Sequence, residues 1–587
     1  MFFGNLEQTI AMFNLEINLS TGTSRSYPAP PDQRHLGGRG LVAALVAERI
    51  PPTADPLGSD NTVILAPGLF AAAGIPTAQR LSIGSKSPLT GGIRESNAGG
   101  VTARALAAAK IKSVLISGRP QPGATYLIVI KNGQAQLLLA PELAGLGTYQ
   151  TAHLLRQRFG PNLAALLIGP AGERLALAAC ALNLDYQGRP NRANGRGGLG
   201  AVLGSKGIKA IVVLPPQGTD LRTQPLVAPN LQPLVQEFCR LIKTSPNTQN
   251  YTLFGTALTG DLAQNIGCLP TRNFRRGTFV GKSQILGKTI RHLIRTRGGQ
   301  GDPAHSCIPG CVIACSNIFP DRYGRELVAP LDYEAIASIG SNLCIDDPDA
   351  IARLYWLCND LGIDVIEAGA ALALLMDEGV IPWGSASAAE NALRTAYTGD
   401  YPGDIISHGL VATANNRGVR RIAAVKGMAF AAFDPRAIKG LGVTYATSPQ
   451  GADHTAGHTI RKKIDHHNKA KQVELSFQTQ IQTALYDNLG ICFFASGALT
   501  KGQEIVAQLF STLTQNRYTP DDLTALGAEI IAQEIQFNRA AGLTPEDDRL
   551  PQFCYTEPLP PYNLTFDLSP AQLQQGISTY LPVSTDQ

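Results

Sequence analysis

The chain has 587 residues, 44% of them apolar and 16% charged, with a formal net charge of +5. That length exceeds what one hydrophobic core supports, so several domains are expected, and the apolar share excludes a disordered or fibrous chain. So weak a positive charge gives no basis for a nucleic-acid partner, although it suits an anionic cofactor.

The opening stretch, "MFFGNLEQTIAMFNLEINLS", lacks the basic start, long apolar core and cleavage site of a secretory signal. The most apolar internal run, "AGAALALLM" from Ala368, is about half the ~20 residues that span a bilayer. A cytoplasmic protein with no membrane helix is expected. Residues 1–212 are rich in glycine and in short β signals: "VILAPG", "SVLISG", "KAIVVL", and a hairpin turning at Asn132-Gly133. After the proline-bearing linker "PPQGTDLRTQPLVAPN", apolar residues recur at helical spacing in "PLVQEFCRLIKT", "AIARLYWLCNDLG" and "IEAGAALALLMDEG". A weaker break near "ATANNRGVRR" precedes the helical "SFQTQIQTALYDNLG" and "DDLTALGAEIIAQEIQF". The expected class is α+β, with a β-rich domain over 1–212 and two mainly helical domains over 213–415 and 416–587.

"CNDLGID", ending at Asp364, is echoed by "YDNLGIC", ending at Cys492. Each closes a helical stretch on glycine, an arrangement that two ordinary helix caps also produce.

Ten cysteines are too few for a disulfide scaffold, yet three stand four residues apart in "HSCIPGCVIACSN": Cys307, Cys311 and Cys315. Pro309-Gly310 favours a coiled loop over a helix there. Zinc is the weaker reading because no second cysteine pair follows, and the radical-SAM spacing is one residue shorter in its second gap. Three buried structural thiols are the bland alternative. An iron-sulfur cluster takes four thiolates, commonly three from one segment and one from afar. Cys180, Cys239, Cys268, Cys344, Cys358, Cys492 and Cys554 are available. Cys358 reads as core, and Cys492, just after a helix-closing glycine, is the best fourth ligand.

"GGRGL", "RLSIGSKSPLTGGIRESNAGG", "RANGRGGLGAVLGSKGIKAIVV", "LPTRNF", "DYEAIASIG", "YATSPQGADH" and "DNLGIC" stand in this order between residues 37 and 492. Together they resemble the aldehyde:ferredoxin oxidoreductase family. The resemblance implies a tungsten or molybdenum bis-pyranopterin seated on the β-rich domain, its phosphates bridged by Mg2+. It also implies a [4Fe-4S] cluster on Cys307, Cys311, Cys315 and Cys492, an aldehyde substrate, ferredoxin or another iron-sulfur carrier as partner, and a homodimer. Arg80 matches the arginine between cluster and pterin. Asn97, Gly99, Arg192, Ala193 and Gly195 match the loops at the pterin phosphates. Asn359, Ile363 and Asp364, and Asp487, Cys492 and Phe493, match two clamps that grip one pterin each. Glu334 and His454 match residues that approach the metal, where a carboxylate takes a proton and a histidine donates one.

The chain departs from the family pattern in four places. The first cysteine gap is C-x3-C where C-x2-C is usual, and no E-x-x-H occurs, so a dimer-bridging iron is not expected. Asn359 replaces an aspartate, and "GADHTAGHTIRKKIDHHN" is unusually rich in histidine and basic residues. Two other activities fit the residues: a molybdenum member acting on another small substrate, and a non-catalytic iron-sulfur electron-transfer or scaffold protein.

Overall fold

The computed structural model describes residues 12–120 and 123–583. The first eleven residues, which carry part of the start examined for a signal, lie outside the described residues. The first sheet holds β1 (Phe13–Asn18), β2 (Thr23–Pro28), β3 (Val63–Pro67), β4 (Leu81–Lys86), β5 (Ile93–Ala98) and β6 (Ile111–Ser117), in the order β2-β1-β6-β3-β4-β5. The second holds β7 (Tyr126–Lys131), β8 (Gln134–Leu139), β9 (Ala164–Ile168), β10 (Ala181–Leu184), β11 (Pro190–Asn194) and β12 (Ile208–Val213), in the order β8-β7-β12-β9-β10-β11. Position for position, the second order repeats the first.

Strand directions repeat too: β1 is parallel to β6 and β7 to β12, while the other neighbours are antiparallel. Helices Gly38–Arg49 and Thr148–Phe159 precede the third strand of each set, and Thr102–Ala108 and Leu199–Ser205 precede the last. The β-rich domain is therefore an internal duplication. Alternate strand residues face opposite ways, so Val63 and Leu65 of β3, Leu166 of β9, and Ile211 and Val213 of β12 share one core with the last-named helix pair. Ile64 and Ala66 belong instead to the large helical core, and Ala165 and Leu167 pack with Ala152 and Leu155 of helix Thr148–Phe159. The expected hairpin turn is present, with Asn132 at φ +52° and Gly133 at φ +74°.

Beyond Val213 the chain is mainly helical, and its long helices include Gln232–Thr244, Pro348–Leu361, Val365–Asp377, Gln472–Leu489 and Pro520–Ala540. The protein is α+β. No helix among the described residues is long and apolar enough to cross a membrane. The cysteine segment is the connection between two paired strands, Asp302–His305 and Ser316–Pro320, with Glu326–Val328 alongside. The domain breaks expected at 212/213 and 415/416 fall one residue inside β12 and two residues inside helix Gly409–Arg417, so as domain units we propose breaks just past Val213 and at Gly418.

The helical part meets the duplicated base at two equivalent places. Helix Pro348–Leu361 closes on Gly362 at φ +71°, and helix Gln472–Leu489 closes on Gly490 at φ +76°. The N–H of Cys180, just before β10, donates to Gly362 O at 2.8 Å, and that of Arg80, just before β4, donates to Gly490 O at 3.3 Å. A Cβ on Gly169, after β9, would lie 2.2 Å from Leu361 O. One on Gly68, after β3, would lie 2.2 Å from Gly490 Cα. Gly68→Ala and Gly169→Ala should each lower stability by about 1–3 kcal/mol through overpacking, read from denaturant unfolding. Wild-type stability in both would show that the turns do not seat on the sheets this closely.

Candidate active site

The two turns carry the two echoed segments, so Asn359 and Asp360 stand where Asp487 and Asn488 do. The outward member of each pair fixes the turn. Asn488 Oδ1 accepts from the Gly37 N–H at 2.9 Å, and Asp360 Oδ1 accepts from the Tyr149 N–H at 3.1 Å, each at the start of the corresponding helix. Asn359 Nδ2 is buried without a partner. Asp487 Oδ1 accepts from Asn97 Nδ2 at 3.0 Å, and its Oδ2 lies 3.6 Å from Arg39. Burial pushes the Asp487 carboxyl up to about 8, with the nearby Glu95 adding to the effect. Ile363 is locked by a bridge to Ala179. Asp364 caps its helix by accepting from the Ile366 N–H at 3.0 Å, and it also accepts from Arg196 Nε at 3.2 Å.

Between the turns lies a cavity of about 200 Å³, lined by Arg80, Asn97, Ala193, Gly195, Asp364, His454 and Asp487 among others. The sequence reading anticipated these seven. It did not anticipate Arg39, Arg94, Glu95, Arg196, Gln450 and Asp453, which also line it. Arg94 donates to Gln450 O at 2.8 Å and to the Asp453 carboxylate, while Arg196 donates to Ala452 O at 2.6 Å and Ala429 O at 2.5 Å. Burial would raise the Asp453 carboxyl, but Arg94 and Arg196 hold it far below the usual range. Arg39 is fixed by Glu534 through bonds of 2.8 and 2.7 Å. Arg94 Nε, Glu95 Oε1, Gln450 Nε2 and His454 Nδ1 are buried here with no partner. Buried polar groups are normally paired. This set of donors and acceptors fits a ligand that carries both N–H groups and anionic oxygens.

Arg80 connects this cavity to the cysteines. Its guanidinium donates to Asn97 Oδ1 and, at 2.7 Å, to Asn97 O. It also offsets the burial that raises the Cys492 thiol. Burial pushes Cys311 up to about 12, Cys307 and Cys492 adding to it, and raises Cys315 well above the usual thiol range, with the other three adding to it. Four thiols thus converge although 177 positions separate Cys315 from Cys492. Thr77, in the left-handed region at φ +64°, ties the two segments together: its O accepts from the Cys492 N–H at 2.9 Å and its Oγ1 accepts from the Val312 N–H at 3.1 Å. A Cβ on Gly99 would lie 2.9 Å from Cys307 Sγ, so this glycine makes room for the thiol. Among the described residues, no three His, Cys, Asp or Glu side chains are set to hold a single metal ion. A cluster that gives each thiolate its own iron needs the sulfurs farther apart than one ion does.

Glu334 and His454 meet beside the cavity. Glu334 Oε2 accepts from the Ala432 N–H at 3.0 Å, and its Oε1 lies 3.2 Å from His454 Nε2 without the alignment of a hydrogen bond. Burial pushes Glu334 up to about 8 and His454 down to about 4. The anticipated pterin contacts Gly99, Arg192, Asn359, Ile363 and Phe493 do not line this cavity: Arg192 donates to Ser316 Oγ at 3.0 Å, and Phe493 lines a neighbouring one.

Family models described as the N-terminal domain and as domains 2 and 3 of aldehyde ferredoxin oxidoreductase match residues 14–215 and 233–581. The chain belongs to the aldehyde ferredoxin oxidoreductase family. It is an enzyme, an oxidoreductase. It is similar to the tungsten-containing aldehyde ferredoxin oxidoreductases of Pyrococcus furiosus (29% identical) and Thermococcus kodakarensis (30%), each over 93% of this chain and 91% of theirs. It is also 24% identical to the WOR-like subunit of an aliphatic sulfonate oxidoreductase of Pyrococcus furiosus, over 85% of this chain and 81% of that one. The fold matches the solved active site complex BamBC of benzoyl coenzyme A reductase, in complex with 1,5-dienoyl-CoA. That match has a TM-score of 0.78 at 18% identity, over 97% of this chain and 94% of that one.

The raised Asp487 carboxyl has a measurable sign. In the folded, ligand-free chain it keeps a proton that the unfolded chain releases between 3.8 and about 8, so its contribution to stability is lost as pH rises through that window. Asp487→Asn should flatten the fall in stability between pH 5 and pH 8, by up to about 1.4 kcal/mol per pH unit. An unchanged slope would mean that Asp487 is ionised in the fold.

Proposed function

We propose that the protein oxidises aldehydes, R-CHO + H2O giving R-COOH, two electrons and two protons, at a tungsten bis-pyranopterin in this cavity. The electrons leave through a [4Fe-4S] cluster on Cys307, Cys311, Cys315 and Cys492 to ferredoxin or another iron-sulfur carrier. The observation that carries this reading is a polar cavity with unsatisfied buried donors and acceptors, held between two equivalent turns and joined by Arg80 to four thiols. The choice of tungsten follows the names of the relatives. Ten unpaired cysteines agree with a reducing, cytoplasmic setting, and a homodimer is the assembly that the family resemblance implies.

When bound, the metal and its pterins supply two-electron redox chemistry, and the cluster passes those electrons on singly. Asp364, Asp487 and Glu95 offer acceptors to the pterin N–H groups. Arg94, Arg196, Asn359 Nδ2 and Gln450 Nε2 offer donors to its oxygens, with Mg2+ expected near Asn97 and Ala193. A scaffold that had lost this group would have no use for these buried charges, which cost folding free energy when unpaired. Arg80, beside Cys492, favours the thiolate form that a cluster needs.

Proton handling falls to Glu334 and His454. At neutral pH, burial leaves Glu334 protonated and His454 neutral, 3.2 Å apart. Glu334 accepts a proton from the substrate side only once its own has left. The ionised fraction grows as pH rises toward 8, so kcat should climb with a midpoint near 8. Glu334→Gln should abolish that limb and lower turnover by roughly a hundredfold, with metal content unchanged, and His454→Asn should displace the midpoint. Wild-type turnover and profile in Glu334→Gln would remove Glu334 from the chemical step.

A further inference from the structure

A second cavity, of about 760 Å³, lies beside the first, bounded by the end of helix Gln232–Thr244, by helix Gln472–Leu489 and by residues of 458–463 and 493–501. Its lining includes Arg461, Lys462, Lys463 and Lys501 and not one carboxylate. None of the four forms an ion pair among the described residues. Arg461 and Lys462 are half-buried, and Lys463 and Lys501 are exposed at the rim of the cavity. Arg461 is held between three rings, 4.8 Å from the centroid of Tyr251, 5.2 Å from Phe493 and 5.3 Å from Phe494, and its Nε is buried without a partner. Like charges gathered in a concavity repel one another and focus a positive potential into it. An anion seated there relieves both.

The cavity reaches the reacting pair through His458. This buried imidazole lines it, packs edge-on against Phe433 at 4.4 Å between centroids, and lies 6.0 Å from the ring of His454. His454 in turn lines the first cavity and touches Glu334. His458 Nε2 has no partner. The cations therefore stand behind the site of proton transfer, with two imidazoles between.

We propose that this outer cavity binds the far, anionic end of the substrate, a carboxylate or a phosphate, so that the enzyme selects anionic aldehydes over neutral ones. The substrate half of this inference rests on the aldehyde reading above, whereas the anion site does not. A concave lining next to Glu334 and His454 favours a small molecule over a docked protein.

The test is the triple variant Lys462→Gln/Lys463→Gln/Lys501→Gln, assayed with a dye acceptor so that no protein carrier takes part. The ratio of kcat/KM for succinic semialdehyde to that for butanal should fall at least tenfold. Glycolaldehyde phosphate serves as the phosphate arm. Calorimetric titration with succinate and with inorganic phosphate gives a readout independent of turnover: at least one should bind the wild type and bind the variant at least tenfold more weakly, and the tighter of the two names the anion. Unchanged ratios and unchanged binding would overturn the proposal. So would a loss confined to the ferredoxin-coupled rate, which would assign the cations to an acidic protein carrier. Lysine-dependent succinate or phosphate binding in an enzyme that oxidises no aldehyde would keep the anion site and refute the aldehyde reading.

Discussion

The whole arrangement depends on two places where helix ends touch sheet ends with no side chain between them. At Gly362 against Gly169, and at Gly490 against Gly68, a single added Cβ meets backbone at 2.2 Å. Because the base is duplicated, these contacts are equivalent, and they hold Asn359 and Asp487 at matching positions of the two turns, with Asp364 and Asp487 lining one cavity. The same closeness brings Cys492, two residues past Gly490, to the loop that holds the other three cysteines. The turn at Gly490 and the fourth thiol are thus positioned by the same contact.

Within the cavity, neighbouring carboxyls are driven to opposite states by what lies in reach. Asp453, bonded to Arg94 and near Arg196, stays ionised despite complete burial. Glu334, with one backbone N–H and a neutral imidazole, is pushed up to about 8. Environments that separate titrations in this way are how one site keeps a fixed charge and a mobile proton side by side. Buried ion pairs are poor sources of stability. Their number here is better explained by positioning, with each guanidinium oriented before any ligand arrives.

Much of this was legible in the sequence where local pattern carries it. Helical periodicity located the long helices, the cysteine spacing marked the loop, and the repeated "LGI" marked two helix-closing turns whose equivalence the fold shows. The duplication of the base was not legible. β5 holds Arg94, Glu95, Ser96 and Asn97 against the cavity, and β11 reads Pro-Asn-Arg-Ala-Asn, so both lack the apolar alternation that announces a strand. Arg94 and Arg196 lie inside the stretches that carry the family resemblance. Their roles come from partners such as Asp453, 359 positions from Arg94, and no local spacing encodes that pairing. Gly99 read as a residue approaching phosphate, and the structure sets it against Cys307. The basic stretch after His454 read as a substrate-pocket difference or a solvated loop, and only the fold shows that four cations share one cavity with His458.

The central claim is that two equivalent halves hold two pterins around one metal, next to a four-iron cluster. Metal and pterin analysis of protein purified without oxygen tests it most directly. One tungsten, two pterins and four irons per chain are expected. One pterin per metal, or stoichiometric zinc with no iron, would contradict it.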